Sequence, residues 1–323
     1  MEEMNSRNAA RNPNPIPNRS SLPFPCKAGH GELHPSNPLL HEANLQPFLK
    51  CSLAAAGLAV ALNVAVCALV WLRSEAVIER RYPLPSTTVA ASTDQKMIAR
   101  GAHLIAIAGC SDCHGANLEG RLTRPASLLP VWSSNLRIAA HTLTDEEFER
   151  AIRTGILPDS KSMWVMPAMD YAYMSEDDVI AIVSYLRTLK ALGTAKPAPS
   201  FDMPARFAIA RSDLEPVALV APESPTSLDL GPRYDGGRYL ARIACADCHD
   251  TDLTGSADAP DLSVVARYNR GDFFRLLKSG ITSDGRRLES KSRPRFRAFH
   301  DYEIDALYDY LSARAKALSR NRR

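Results

Sequence analysis

Aromatic side chains are scarce: 3 Trp, 10 Tyr and 9 Phe make up 7% of 323 residues. That is thin for extensive β-structure, where aromatic and β-branched side chains concentrate. Net charge is also nearly missing, at +3. Neither a nucleic-acid footprint nor a polybasic membrane clamp is indicated. The cysteines number 7, an odd count that excludes a complete disulfide framework. Methionine runs out at Met203. What is present fits a globular chain: 45% apolar and 23% charged residues exclude global disorder and fibrous structure. The length implies about two domains.

Residues 1–47 are rich in Asn and Pro (Asn12-Pro13-Asn14-Pro15) and read as a disordered tail. Cys26, His30 and His34 within it have no assigned role. Ser52 to Leu72 carries no charge over 21 residues, enough to span a bilayer core. The apolar region of a cleaved signal peptide is shorter, about 7–15 residues, so residues 48–73 are expected to stay as a transmembrane anchor, with 74–93 as a linker. Trp71 sits where an interfacial aromatic belongs. Arg73, Arg80 and Arg81 follow closely, so loop charge does not set the orientation. Cys51 and Cys67 read as apolar fillers.

Four cysteines fall in two identical frames, Cys110-Ser111-Asp112-Cys113-His114 and Cys245-Ala246-Asp247-Cys248-His249. C-x-x-C-H is the attachment frame of c-type haem. Two thiols add across the haem vinyl groups, and the adjacent histidine reaches the iron as proximal ligand. A zinc knuckle would need further Cys or His ligands at matched spacing, which are missing. A redox C-x-x-C would need a βαβ pattern, which is also missing. Two covalent haems are the expected cofactors.

The motifs belong to a repeat. Gly101-x-His103-Leu104 precedes the first, and Gly237-x-Tyr239-Leu240 the second. Leu118 and Gly120 match Leu253 and Gly255. Further on, Phe148, Arg150, Arg153 and Gly155 match Phe273, Arg275, Lys278 and Gly280 at an ungapped offset of 125. The closing segments 178–186 and 303–311 keep that offset. Such self-similarity marks a duplicated unit. An opening helix is expected over 94–108. Thr144-x-x-Glu147 forms a capping box for a helix ending at Gly155. Ser175 starts a closing helix with Val179, Ile182, Val183 and Leu186 inward. In the second copy Ile304, Leu307, Tyr308 and Leu311 are expected inward. Gly101 and Gly237 lie where opening and closing helices would cross closely. The Pro- and Ala-rich stretch 191–230 reads as an extended connector. The fold class is all-α.

Residues 94–316 resemble membrane-anchored dihaem class I c-type cytochromes. The resemblance rests on Gly109 to Gly115 around the first motif, Met166-Pro167, Ser175-Glu176-Asp177-Asp178 and Tyr185-Leu186-Arg187. The second copy supplies Cys245 to His249 and Ala259-Pro260-Asp261-Leu262. It implies two tandem class I cytochrome c domains after one transmembrane helix, at 94–190 and 231–318. Cys110, Cys113, Cys245 and Cys248 would hold the haems, with His114 and His249 on the irons. Class I cytochromes complete the iron with a methionine before the closing helix, and Met166 fits, with Met169 next. They also place a proline carbonyl on the proximal histidine; Pro260 matches, whereas the first copy has Ser134 there.

The second copy has no such methionine. At the same offset Met166 falls on Lys291. Lys291 is a candidate neutral amine ligand, its pKa lowered by neighbouring arginines; the iron is otherwise open or water-bound, or reached by His300. Charge is split as well. Residues 144–178 hold 9 acids and 3 bases, and 265–297 hold 10 bases and 3 acids, an arrangement suited to steering an acidic partner. The expected role is electron transfer between a periplasmic donor, such as a dehydrogenase, and a respiratory acceptor. As in c-type cytochromes generally, the haem domains would face the periplasm, anchored in the cytoplasmic membrane through 52–72. The chain reads as a carrier rather than an enzyme. The alternatives are a dihaem peroxidase using an open second haem, with Glu289 and His300 as weak distal candidates, or a gas or redox sensor.

Overall fold

The computed structural model describes residues 45–123, 131–219, 227–257, 259–288 and 293–321. Lys291, Glu289 and the tail up to residue 44 lie outside the described residues. The chain divides into two units at Val60/Ala61, and the elements that carry the motifs all lie in the second.

The described secondary structure is mostly helical. Helix α1 runs Leu45–Ile78, 34 residues without interruption. The expected span is therefore the middle of a longer helix, which takes in the end of the expected tail and the start of the expected linker. The segment Leu49–Ile78 is long and apolar enough to cross a membrane, and Leu53, Leu58 and Leu62 are exposed on it.

The first copy follows as α2 (Gln95–Ile107), α3 (Cys110–His114), a small antiparallel ribbon of β1 (Leu122–Thr123) and β2 (Val131–Trp132), α4 (Leu136–Thr142), α5 (Asp145–Thr154), α6 (Ala168–Tyr171) and α7 (Glu176–Thr188). Helix α8 (Met203–Ala210) comes next. The second copy comprises α9 (Asp235–His249), a 3-10 turn at Leu262–Arg267, α10 (Arg270–Ser279), α11 (Arg293–Ala298) and α12 (Asp301–Asn321).

The caps form as the sequence implies. Thr144 Oγ accepts from Glu147 N, and Glu147 returns the bond to Thr144 N. Gly155 and Gly280 end α5 and α10 in the left-handed region, at φ of 65° and 71°, which glycine enters without a Cβ penalty. The core forms where α2 packs on α7 and α9 on α12. Ile107, Val179, Val183 and Leu186 fill the first crossing, and Ile304, Leu307, Tyr310 and Leu311 the second. Each such side chain contributes about 1.5–3 kcal/mol on burial. Tyr310, rather than Tyr308, is the fully buried tyrosine of α12. Glycine permits both crossings. A Cβ on Gly101 would collide with the Ala181 carbonyl, and one on Gly237 with the Ala306 carbonyl.

The connector is corrected by the structure. Residues 191–230 are not extended throughout, because α8 forms inside them, started by Asp202 accepting from Ala205 N at 2.9 Å. Ala205 and Ile209 are buried. Arg206 stacks over Trp71 at 3.6 Å and donates to Ser74 Oγ at 3.0 Å and Glu75 at 2.7 Å. Burial of α8 against the end of α1 outweighs the proline-rich composition around it, as tertiary contact commonly overrides local propensity.

Candidate functional site

Each motif lies at a helix end followed by a tight turn. Gly120 N donates to the His114 carbonyl at 2.8 Å, and Gly255 N to the His249 carbonyl at 2.8 Å. Leu118 and Leu253 take left-handed conformations, at φ of 61° and 65°, unusual for a leucine. Their carbonyls accept from Leu136 N and Leu262 N at 2.9 and 3.0 Å. Both leucines are buried, at 4% and 0% exposure. The strain is held by burial and by the closing bonds on either side.

The histidines are oriented identically. His114 Nδ1 lies 2.7 Å from the Ser134 carbonyl, and His249 Nδ1 2.7 Å from the Pro260 carbonyl. A carbonyl only accepts, so Nδ1 carries the proton and Nε2 is left bare as a ligand atom. Burial lowers the pKa of both imidazoles, and the carbonyl bond opposes the shift. Both therefore favour the neutral form that binds a metal. Ser134 serves as well as Pro260 because the contact is made by main chain.

Cys110, Cys113, Cys245 and Cys248 form no disulfide. Burial pushes the Cys110 thiol up to about 12 and the Cys245 thiol to about 11. A redox C-x-x-C needs a low-pKa thiolate, so these pairs are unsuited to disulfide exchange. Two unpaired thiols beside a neutral imidazole with bare Nε2 fit a covalently held haem. Cys110, Cys245 and Met166 are partly buried against the apolar core.

Met166 is placed by the loop before α7. Met163 N donates to the Gly155 carbonyl at 2.7 Å, and Ala168 N to the Met166 carbonyl at 2.8 Å. Met169 is half-buried, and Met174 is buried at 3% exposure. In the second copy Leu288 N donates to the Gly280 carbonyl at 2.7 Å, as Met163 does to Gly155. Phe299 N bonds the Phe296 carbonyl as Met174 N bonds that of Tyr171. The offset of 125 therefore holds on both sides of position 291. His300 is exposed and stacks on His103, with ring centroids 4.2 Å apart.

The residue that sequence reasoning missed is Arg295. In the sequence it is one base in a basic run. In the fold it is buried, at 4% exposure, between the two motifs. Its Nε lies 3.4 Å from Asp112 Oδ2, and it hydrogen-bonds the Cys248 thiol. Asp170, the position equivalent to Arg295, is also buried at 3%. Burial first, and then the charge of Asp247, raise its carboxyl to about 7. The offset between the copies is the one signal that could have paired these two positions.

Residues 98–190 match the family model of cytochrome c. The chain is also 26% identical over 277 residues to the fructose dehydrogenase cytochrome subunit of Gluconobacter japonicus. That alignment takes in 73% of this chain and 56% of the relative, so the chain spans little more than half of the relative's length. The matches support a c-type cytochrome with an electron-transfer role, and a cytochrome c domain implies covalently bound haem iron.

Proposed function

We propose that this chain is a membrane-anchored dihaem cytochrome that relays single electrons from a dehydrogenase to a respiratory acceptor. The observation that carries the reading is the equivalence of the two motif turns, down to the left-handed leucine and the Nδ1–carbonyl bond. A haem bound at each would supply an Fe(III)/Fe(II) couple. Cys110 with Cys113, and Cys245 with Cys248, would hold the two groups as thioethers. His114 and His249 would present Nε2 to the metal, their rings fixed by the Ser134 and Pro260 carbonyls. Met166 would complete the first site. Lys291 falls at the equivalent position of the second copy by sequence; either its neutral amine would complete that site, or the position would be open or water-bound.

In this reading 94–190 and 231–318 are the two haem domains, 191–230 joins them, and residues 52–72 anchor them to the cytoplasmic membrane from the periplasmic side. A dehydrogenase partner is suggested by the Gluconobacter relative, a fructose dehydrogenase cytochrome subunit. Among the described residues, the distal candidate of the peroxidase reading, His300, is stacked on His103.

Intact mass and pyridine haemochrome absorbance of the purified chain test the proposal. Two haems per chain are expected; one would overturn the dihaem reading. Co-purification with a dehydrogenase that reduces the chain on adding substrate tests the partner.

A further inference from the structure

Each copy's opening helix reaches the other copy's closing helix. On one side Tyr239 Oη donates to Asp178 Oδ2 at 2.5 Å, and Ser175 N donates to Tyr239 Oη at 3.3 Å. The repeat sets His103, Glu303 and His300 at the equivalent positions on the other side. There His103 Nε2 lies 2.8 and 3.0 Å from the two Glu303 oxygens. His300 N donates to Glu303 Oε2 at 2.7 Å, and the two imidazoles stack at 18°. One ligand atom from each of the three side chains lies within 4.8 Å of the others.

We propose that His103, His300 and Glu303 bind one zinc-class divalent ion across the junction of the two copies. Two imidazoles and a carboxylate are donors that zinc accepts, and three protein ligands leave one position for water. Ligands at about 2 Å in a tetrahedron stand roughly 3.3 Å apart. His103 Nε2 and Glu303 already approach that spacing, so only His300 must swing in. His300 is exposed and Glu303 buried at 7%, so one side of the site is solvent-accessible and the other fixed. His103 would ligate through the Nε2 lone pair, so a hydrogen held there moves to Nδ1 or to solvent as the ion enters. The Tyr239–Asp178–Ser175 clasp shows that a hydrogen bond alone serves this position. The His–Glu–His version adds ligand capacity that closure of the junction does not require.

The test is calorimetric titration of Zn2+ into the purified haem-loaded chain, beside His103→Ala, His300→Ala and Tyr239→Phe. One ion per chain is expected, with affinity at least tenfold weaker in both histidine variants and unchanged in Tyr239→Phe. Zinc should raise Tm in the wild type and in Tyr239→Phe only. His300 is exposed, so its removal leaves the core intact, and an unchanged Soret spectrum verifies this. No binding by the wild type, or equal binding by His300→Ala, overturns the site as adventitious. A comparable loss in Tyr239→Phe overturns it as general loosening of the junction.

Discussion

The first copy breaks its motif helix; the second does not. α9 runs from Asp235 through His249 without interruption, whereas α2 ends at Ile107 and α3 restarts at Cys110. One added residue causes the difference. Gly101 to Cys110 spans one residue more than Gly237 to Cys245, and the extra residue is Gly109, at φ 77°. The break has two consequences. The Ala108 carbonyl accepts instead from Tyr171 Oη at 2.8 Å; the equivalent position in the second copy is Phe296, which has no hydroxyl. The missing Cβ at Gly109 also makes room for the Arg295 guanidinium. A single inserted glycine thus lets one copy accept a buried cation from the other.

The copies also differ in charge at one position. Arg295 sits beside Asp112, an attractive pair, while the charge of Asp247 adds to burial in raising the Asp170 carboxyl, against the opposing charge of Arg242. The first arrangement keeps a buried charge compensated. The second favours a proton on Asp170. The two positions are equivalent at the offset of 125, and their different side chains give them opposite electrostatics.

The comparison is broken most severely by deleting a motif. Cys245→Ala with Cys248→Ala should halve the haem per chain, and so should Cys110→Ala with Cys113→Ala, read by haemochrome absorbance. Redox titration of each should leave the higher potential in the variant that keeps Met166, because methionine ligation raises it. Next in size, Arg295→Met leaves Asp112, whose side chain is 29% exposed, without its partner and should destabilise the chain by about 1–3 kcal/mol, measured by urea unfolding.

Asp170→Asn sharpens the contrast through pH. The Asp170 carboxyl is raised from 3.8 to about 7, so between those values the folded chain holds a proton that the unfolded chain has lost. The contribution to stability is full below pH 3.8 and is lost as pH rises through about 7. Urea unfolding at pH 5 and pH 8 should show a fall in wild-type stability that Asp170→Asn reduces. Gly237→Ala should cost about 1–3 kcal/mol by overpacking against Ala306 and Tyr310. Gly101→Ala should match it, since both crossings are alike; unequal losses in thermal unfolding would break the symmetry. The smallest effect is at the caps. Thr144→Ala and Asn269→Ala should each cost about 1 kcal/mol, with the larger loss at Asn269, whose side chain accepts from Asp272 N and donates to Asp272 Oδ2, whereas Thr144→Ala keeps the backbone N–H that donates to Glu147.

The local parts of the fold were readable because neighbours in sequence produce them. The C-x-x-C-H frames, the capping box at Thr144, the left-handed ends at Gly155 and Gly280 and the apolar run of α1 each lie within a few turns of chain. The glycines at the crossings were readable through the repeat, which places a small residue twice in one role. Helix α8 was not: Met203–Ala210 is short, sits among prolines, and is buried through Trp71 and Ser74, more than 130 residues away. Nor did the sequence show which of the many arginines are interior, Arg206, Arg295 and Arg314 among the described residues.

The available chemistry follows from the order of residues alone: four thiols, two motif histidines, a competing set of methionines in the first copy and a lysine in the second. So do the helices other than α8, since propensity and caps act over one or two turns. Which charges lose their water was decided only by packing. Arg295, Asp170 and the His103–Glu303 pair carry no local signature, because their partners lie up to 200 residues away. Their energetics come from desolvation at a junction that exists only once the two copies have packed.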